Sequence, residues 1–477
     1  MKNIFKKSYL VITLIAFISV SCNDDNNELF NEAPSVRVDN RMDELQSLLL
    51  GPTNNGYKAE YFTKNDQRGG FTIFMKFNAD GTVRQTSDFD SDIDLANSSY
   101  EISLGTTVEL VFTTRNHITK ATDPETVVEI INGRPAPQGF YGTSVFQYFS
   151  NDDGVLTFRD VRNKDTATLI LTPTNFTDFD TESIAGVNKT LDRRNAFLPS
   201  AERSVFQILR IENADGISKF NLNYKPDILY ATPRVKFADG SVTEFEFGML
   251  FTADGLRISP ALEFEGEFYT EFLYDVDNNS YISTVNGTTA TILFSNEPPI
   301  ITNDISEIEE LTDNSILLVW WKERYGASPL NSLGYQAILD EINQNAIADY
   351  GFEVVVNYVD FRFDFNDDGS FCQGRLRIFD TEGFGYTFCF GASTNIVDNK
   401  LFLEYEGPGN ANGALIETQA QSLIDFYTSE AGLIITTEGS YSSSLDGTTF
   451  NFPNLSATMT SVDNPTARIY GYICCPG

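Results

Sequence analysis

The sequence predicts a mainly β protein: two or more antiparallel domains of β-sandwich or open-barrel type, with a few short helices. Three observations carry this. Apolar runs alternate with period two. Asp-Gly and Asn-Gly dipeptides recur between those runs. Hydrophobic residues make up 41% of the 477, enough to fill more than one core.

The alternating runs come first. In Phe71–Phe77, residues Phe71, Ile73, Met75 and Phe77 share one face. In Thr243–Met249, Phe245, Phe247 and Met249 face inward and Glu244 and Glu246 outward. Leu262–Glu267 alternates Leu and Phe with Glu, and Phe361–Phe365 alternates Phe with Arg and Asp. One dry and one wet face per strand is the pattern of antiparallel sheets. Asp-Gly begins at 80, 153, 215, 239, 254, 368 and 446, and Asn-Gly at 55, 132, 286 and 412. Both dipeptides tolerate the positive φ of tight hairpin turns.

Helices are few. Asn40 is placed to cap a helix over 41–50, with Met42, Leu45 and Leu49 on one face and Gly51-Pro52 as its stop. A second is expected over 334–348, where Ile338 and Ile342 are four apart, and a third over 414–430. The order helix, strand, strand, Asp-Gly, strand occurs near both ends of the chain. It fits either a duplication or the reuse of common β parts. Pro298-Pro299 and Pro329 mark a boundary around 326–332. This gives an N-terminal β-rich domain, 40–328, and a C-terminal β-rich domain with the cysteines, 329–477. A weaker break falls near 180–204.

The N-terminus carries Lys2, Lys6 and Lys7, then the apolar run Tyr9–Val20, then Ser21 and Cys22. That is a secretory signal peptide over 1–21, with a Cys at the cut site as in bacterial lipoproteins. Cys22 is the expected lipidation site. The run is shorter than the roughly 20 residues of a membrane-spanning helix. Residues 22–39 read as a flexible acidic tether. Asn23-Asp24-Asp25 resembles the surface-export signal of Bacteroidota lipoproteins, which implies an outer-membrane protein facing the exterior.

Charge and composition exclude several functions. The net charge is −34, and removing residues 1–21 with their three lysines leaves −37. Phosphates need cationic partners, so nucleic acid is not an expected partner. His117 is the sole histidine. His-rich zinc sites and H-E-x-x-H protease helices are therefore excluded. His117 could bind a ligand or orient a loop, and a lone histidine reads as a hydrogen-bonded structural residue over a catalytic one.

Cys372, Cys389, Cys474 and Cys475 form an even set near the C-terminus. In an exported protein such a set suggests disulfides. A bond between the adjacent Cys474 and Cys475 would be strained. Crossed pairs from the tail to Cys372 and Cys389 are favoured over it, and over four free thiols.

Calcium is the candidate cofactor, from two stretches. Asp364-x-Asn366-x-Asp368-Gly369 matches the first half of a calcium loop, but position twelve is Arg375 where a bidentate Glu belongs. A hairpin turn is the stronger reading there. Asp88, Asp90, Asp92 and Asp94 alternate, so in an extended chain their carboxylates would share one side. An ion would relieve that repulsion, and so would solvation. The candidate ligands are Asp88, Asp90, Asp92, Asp364, Asn366 and Asp368. Trp320-Trp321 would point to opposite faces of a strand, and packing is favoured over stacking on a sugar. No catalytic residue and no ligand-binding set stands out.

Several segments together resemble a known family. Asn55-Gly56-Tyr57, Gly69-Gly70-Phe71 and Phe77–Gly81 are one part. Ser98-Ser99-Tyr100, Thr113–His117, Asp123-Pro124 and Phe251–Arg257 follow. They resemble the Bacteroidota lipoproteins grouped as domain of unknown function 4302. The resemblance implies a surface lipoprotein working beside an outer-membrane transporter and a surface substrate-binding lipoprotein. It implies nutrient capture without catalysis and brings no catalytic residues. The alternatives are a carboxylate-based hydrolase acting on surface glycans and a structural or adhesion module.

Overall fold

The computed structural model describes residues 33–51, 55–131, 134–236, 241–310, 317–322, 328–362, 376–379, 387–445 and 448–474. The signal segment, Cys22, the tether up to 32, Asp364, Asn366, Asp368, Cys372 and Cys475 lie outside the described residues.

Eight antiparallel strands between Tyr57 and Pro173 close into a first barrel. They follow one another around it in chain order, with the hairpin Val128–Pro137 standing apart. The first and last strands seal it, Tyr57 opposite Pro173 and Phe62 opposite Thr168. Eleven strands between Phe206 and Ser295 form a central sheet. Eight described strands from Leu317 to Cys474 close a second barrel, sealed by Leu317 opposite Cys474. The mainly β, antiparallel fold is therefore present, with barrel closure removing the edges that a sandwich would leave.

Sequence alternation becomes barrel interior. Phe71, Ile73, Met75 and Phe77 join the first core, each at most 6% exposed. Leu45 and Leu49 of the first helix are buried in that same core. This helix runs Pro34–Leu50 and so begins before Asn40. Pro34 suits a first turn, where the missing N–H has no partner to lose. Its start takes in residues 34–39, read above as tether.

In the second barrel the helix runs Leu333–Tyr350. Ser332 caps it by accepting from the Tyr335 N–H, and Gly351 ends it at φ 74°. Tyr335, Ile338 and Ile342 enter the second core. The helix expected over 414–430 is two short ones, Ala411–Ile416 and Gln421–Tyr427. The two barrels are threaded differently. In the first, the helix precedes all the strands. In the second, Leu317–Trp321 precedes the helix and the other strands follow it. That early strand lies upstream of 326–332 and pairs on both sides within the second barrel.

Two alternating runs are not single strands. Val242–Glu244 pairs with Arg234–Lys236 at one edge of the central sheet. Phe247–Phe251 pairs through residues 248–251 with residues 256–259, near the opposite edge. Leu262–Glu267 is a hairpin tip, because Glu265 and Gly266 both have positive φ, 51° and 84°. Where the dipeptides predicted turns, Asp153-Gly154 (51°, 90°) and Asn286-Gly287 (47°, 87°) adopt the same mirror-image form.

Among the contacts that join the three bodies, two stand out. Strand Gly70–Phe77 packs on Phe247–Phe251 of the central sheet. At that crossing a Cβ on Gly69 would lie 2.2 Å from the Leu229 carbonyl oxygen and 2.3 Å from that of Met249. The Gly69 N–H donates to Ile228 O at 2.8 Å, and Thr72 Oγ1 donates to Phe251 O at 2.6 Å. The second contact is Arg468, which is fully buried. Its Nε donates to Leu330 O at 2.6 Å and its Nη1 to Arg203 O at 3.0 Å. Its Nη2 donates to Ser200 O at 3.1 Å and Pro329 O at 3.2 Å.

Candidate functional site

The strand Thr82–Ser87 ends in an acidic loop that shapes one wall of a cleft. The single histidine fastens this loop. His117 sits on one helical turn, His117–Lys120, capped by the Asn116 side chain. Its Nε2 donates to Asp94 O at 2.8 Å, since a carbonyl can only accept. Its Nδ1 therefore accepts from Ser87 Oγ at 3.0 Å. One ring thus pins both ends of the loop. Burial disfavours the imidazolium and holds the His117 pKa below 6.5.

Asp88 opens the loop and points inward, fully buried. Its Oδ1 accepts the Thr72 N–H at 2.8 Å. Arg194 Nη1 lies 3.8 Å from its Oδ2 and donates to its backbone oxygen at 2.6 Å. Burial pushes the Asp88 carboxyl up to about 6, against the pull of Arg194. The raised value means that Asp88 favours folding below 3.8 and loses that contribution as pH rises through about 6. His117 acts in the opposite sense, its neutral form favouring the fold and stability falling as pH drops below 6.5. Replacing Asp88 with Asn is expected to lower stability at about pH 4.5, relative to that at about pH 7.5, by on the order of 2 kcal/mol. Urea midpoints of both proteins at the two pH values check this. A difference unchanged by the substitution refutes it.

The alternating aspartates do not line one side of an extended chain. The segment bends, with Asp90 Oδ1 accepting the Asp92 N–H and Asp92 Oδ1 the Asp94 N–H. Lys120 supplies the positive charge, its Nζ 2.9 Å from Asp90 and 3.1 Å from Asp92. Asp88 faces Arg194 instead. Asp88, Asp90 and Asp92 are thus not gathered around one centre. Among the described residues, no group of three or more His, Cys, Asp or Glu is arranged to hold a metal ion.

The cleft lies where the first barrel, the linker helix Phe179–Ala196 and the edge of the central sheet meet, and has a volume of about 470 Å³. Phe71 and Phe140 are its buried floor and half-buried Phe89 its wall, with ring centroids 4.5 Å (Phe71–Phe89) and 4.8 Å (Phe71–Phe140) apart. Asp178 caps the linker helix, whose last turn carries Arg193 and Arg194, where cations suit the helix dipole. That places Arg194 and the exposed Asn195 at the cleft. The edge strand Tyr224–Lys225 contributes Tyr224, and Asp227 stands exposed just beyond it. Tyr224 Oη is buried with no hydrogen-bond partner among the described residues, and burial raises its pKa. Arg194 spends Nη1 on Asp88, while its Nε and Nη2 make no hydrogen bond to the described chain.

A second cleft, about 370 Å³, adjoins the first and shares Leu198, Tyr224 and Pro226 with it. It lies between the central sheet and the second barrel. Its walls are mostly apolar, including Phe206, Ile300 and Ile434. Glu438 is the one carboxylate among its lining residues. Burial pushes its carboxyl up to about 7, although Thr458 Oγ1 donates to it at 3.2 Å.

The remaining sequence candidates sit elsewhere. Trp320 is buried edge-on to Tyr335, centroids 6.2 Å apart, while Trp321 meets Tyr358 on the other face at 5.5 Å. Cys389 is buried and disulfide-bonded, and Cys474 ends the last strand of the second barrel. Phe89, Phe140, Arg194 and Tyr224 went unnoticed in the sequence. They come from four separate segments, and no local spacing links them.

Two closed barrels flanking a sheet, with an aromatic cleft at the first junction, define an antiparallel β protein whose candidate site lies between modules. The chain belongs to the family described as Domain of unknown function (DUF4302), whose model matches residues 26–276. That span includes every residue lining the first cleft. No curated protein and no solved structure matches the chain.

Proposed function

We propose that the protein is a lipid-anchored binding component of a nutrient-acquisition system, held on the outer membrane and facing outward. It is not a catalyst, and it takes its ligand in the cleft at the first junction. One observation carries the cleft assignment: aromatic rings there stand beside Arg194, whose Nε and Nη2 make no hydrogen bond to the described chain. Donors that a ligand can reach, set beside aromatic rings in one cleft, favour a binding role. The anchor rests on Lys2, Lys6, Lys7, the apolar run and Cys22. The partners rest on the family resemblance: an outer-membrane transporter and a surface substrate-binding lipoprotein.

Purification of the lipidated protein from detergent-solubilised outer membrane tests this. A transporter and its binding lipoprotein are expected to come with it. Recovery of the protein alone, at several detergent strengths, counts against the proposal.

A further inference from the structure

The chemistry of the first cleft narrows its ligand, an inference that rests on the cleft being the binding site. We infer that it takes an uncharged, polyhydroxylated ligand, a neutral sugar.

Charge is the first argument. Arg194 faces the same cleft as Asp90 and Asp227. An anionic group drawn to Arg194 meets two carboxylates on a chain of net charge −34. A cationic group drawn to the carboxylates meets Arg194, and at Asp90 it competes with Lys120 already in place. Mixed signs in one small cleft favour neither ion.

Hydrogen bonding is the second. Arg194 Nε and Nη2 are donors without partners among the described residues, and the carboxylates of Asp90 and Asp227 are acceptors. Asn195 offers both. A hydroxyl donates and accepts at once, so neighbouring hydroxyls on one ring can serve both kinds of wall. A purely apolar ligand would fill the volume and leave the donors unpaired, a mismatch that binding sites reject strongly.

Shape is the third. Phe89 is half-buried and braced by Phe71 and Phe140. A braced ring at a cleft wall offers a flat apolar surface, and the C–H face of a sugar ring packs on such a surface.

The test is an array of neutral, acidic and amino-bearing glycans probed with the full mature chain, followed by calorimetry on the glycans retained. Neutral glycans are expected to bind, and matched uronic acids and amino sugars to bind less. Asn195→Ala and Asp227→Asn alter exposed side chains and leave the core intact. Each is expected to weaken binding by about 10-fold. Glu438→Gln, in the second cleft, is expected to leave it unchanged. Retention of no neutral glycan, preference for a charged one, or affinity unmoved by both cleft variants overturns the inference. Co-purification with a transporter but no glycan retention would overturn it while sparing the nutrient-capture reading. Glycan binding by a protein that purifies alone would do the reverse.

Discussion

Arg468→Ala is expected to lower stability by about 3–5 kcal/mol and to uncouple the second barrel from the central sheet. The guanidinium has no exposed surface and donates to four carbonyls. Two belong to the segment before the sheet, Ser200 and Arg203, and two to the segment before the second helix, Pro329 and Leu330. Removing the side chain takes a charged donor from each of the four oxygens and leaves a void where a fully buried side chain stood. Burial already holds the Arg468 pKa down to about 10, with Glu438 pulling the other way, so the group stays charged at neutral pH. Lysine should not rescue the loss. Its three donors radiate from one point and cannot span two segments as the planar fork does. Urea unfolding followed by tryptophan fluorescence checks this, because Trp320 and Trp321 both lie in the second barrel. The variant should show that barrel melting before the rest of the chain. A midpoint equal to the unmodified protein's would refute the claim.

Gly69→Val should separate the first barrel from the sheet. The obstacle is space rather than backbone conformation. A Cβ at 69 would stand inside the contact distance of two carbonyl oxygens. Gly248 faces it, and a Cβ there would come within 2.4 Å of Arg68 O. Two glycines on opposite sides let the backbones touch, and neither carbonyl can swing away without breaking the hydrogen bonds beside it. Overpacking costs about 1–3 kcal/mol where side chains can yield. Here the blocking atoms are main chain, so a loss of at least about 3 kcal/mol is expected. Thermal unfolding measures it, and hydrogen exchange at Thr72 and Phe251 should rise. A valine variant that melts with the parent would disprove the account.

That glycine shows how far the sequence could be read. Gly69-Gly70-Phe71 stood out as part of a family pattern, but its cause is a crossing with Leu229 and Met249, which no local spacing announces. Interior faces were legible, because Phe71, Ile73, Met75 and Phe77 report a dry side directly. Barrel closure was not, because alternation is the same in a sandwich and a barrel. The hairpin tip at Glu265-Gly266 was hidden because alternation continues through it. The aspartate repeat suggested an ion, and the charge that answers it comes from Lys120, thirty residues on from Asp90. The cleft was least visible of all, since Phe89, Phe140, Arg194 and Tyr224 meet only after a barrel, a helix and a sheet edge have formed.

The threading of the second barrel sets an order of events during synthesis. The first barrel can seal once residue 173 has emerged, because its closing partner, residue 57, is already present. The second cannot. Its earliest strand, Leu317–Trp321, must wait for Arg468–Cys474, the last strand described. Until then two sheet edges stand open, each a template for pairing with another chain. A chain cut before residue 468 would therefore hold a sealed first barrel and an unsealed second one. Quality control that recognises exposed edges would read the difference directly.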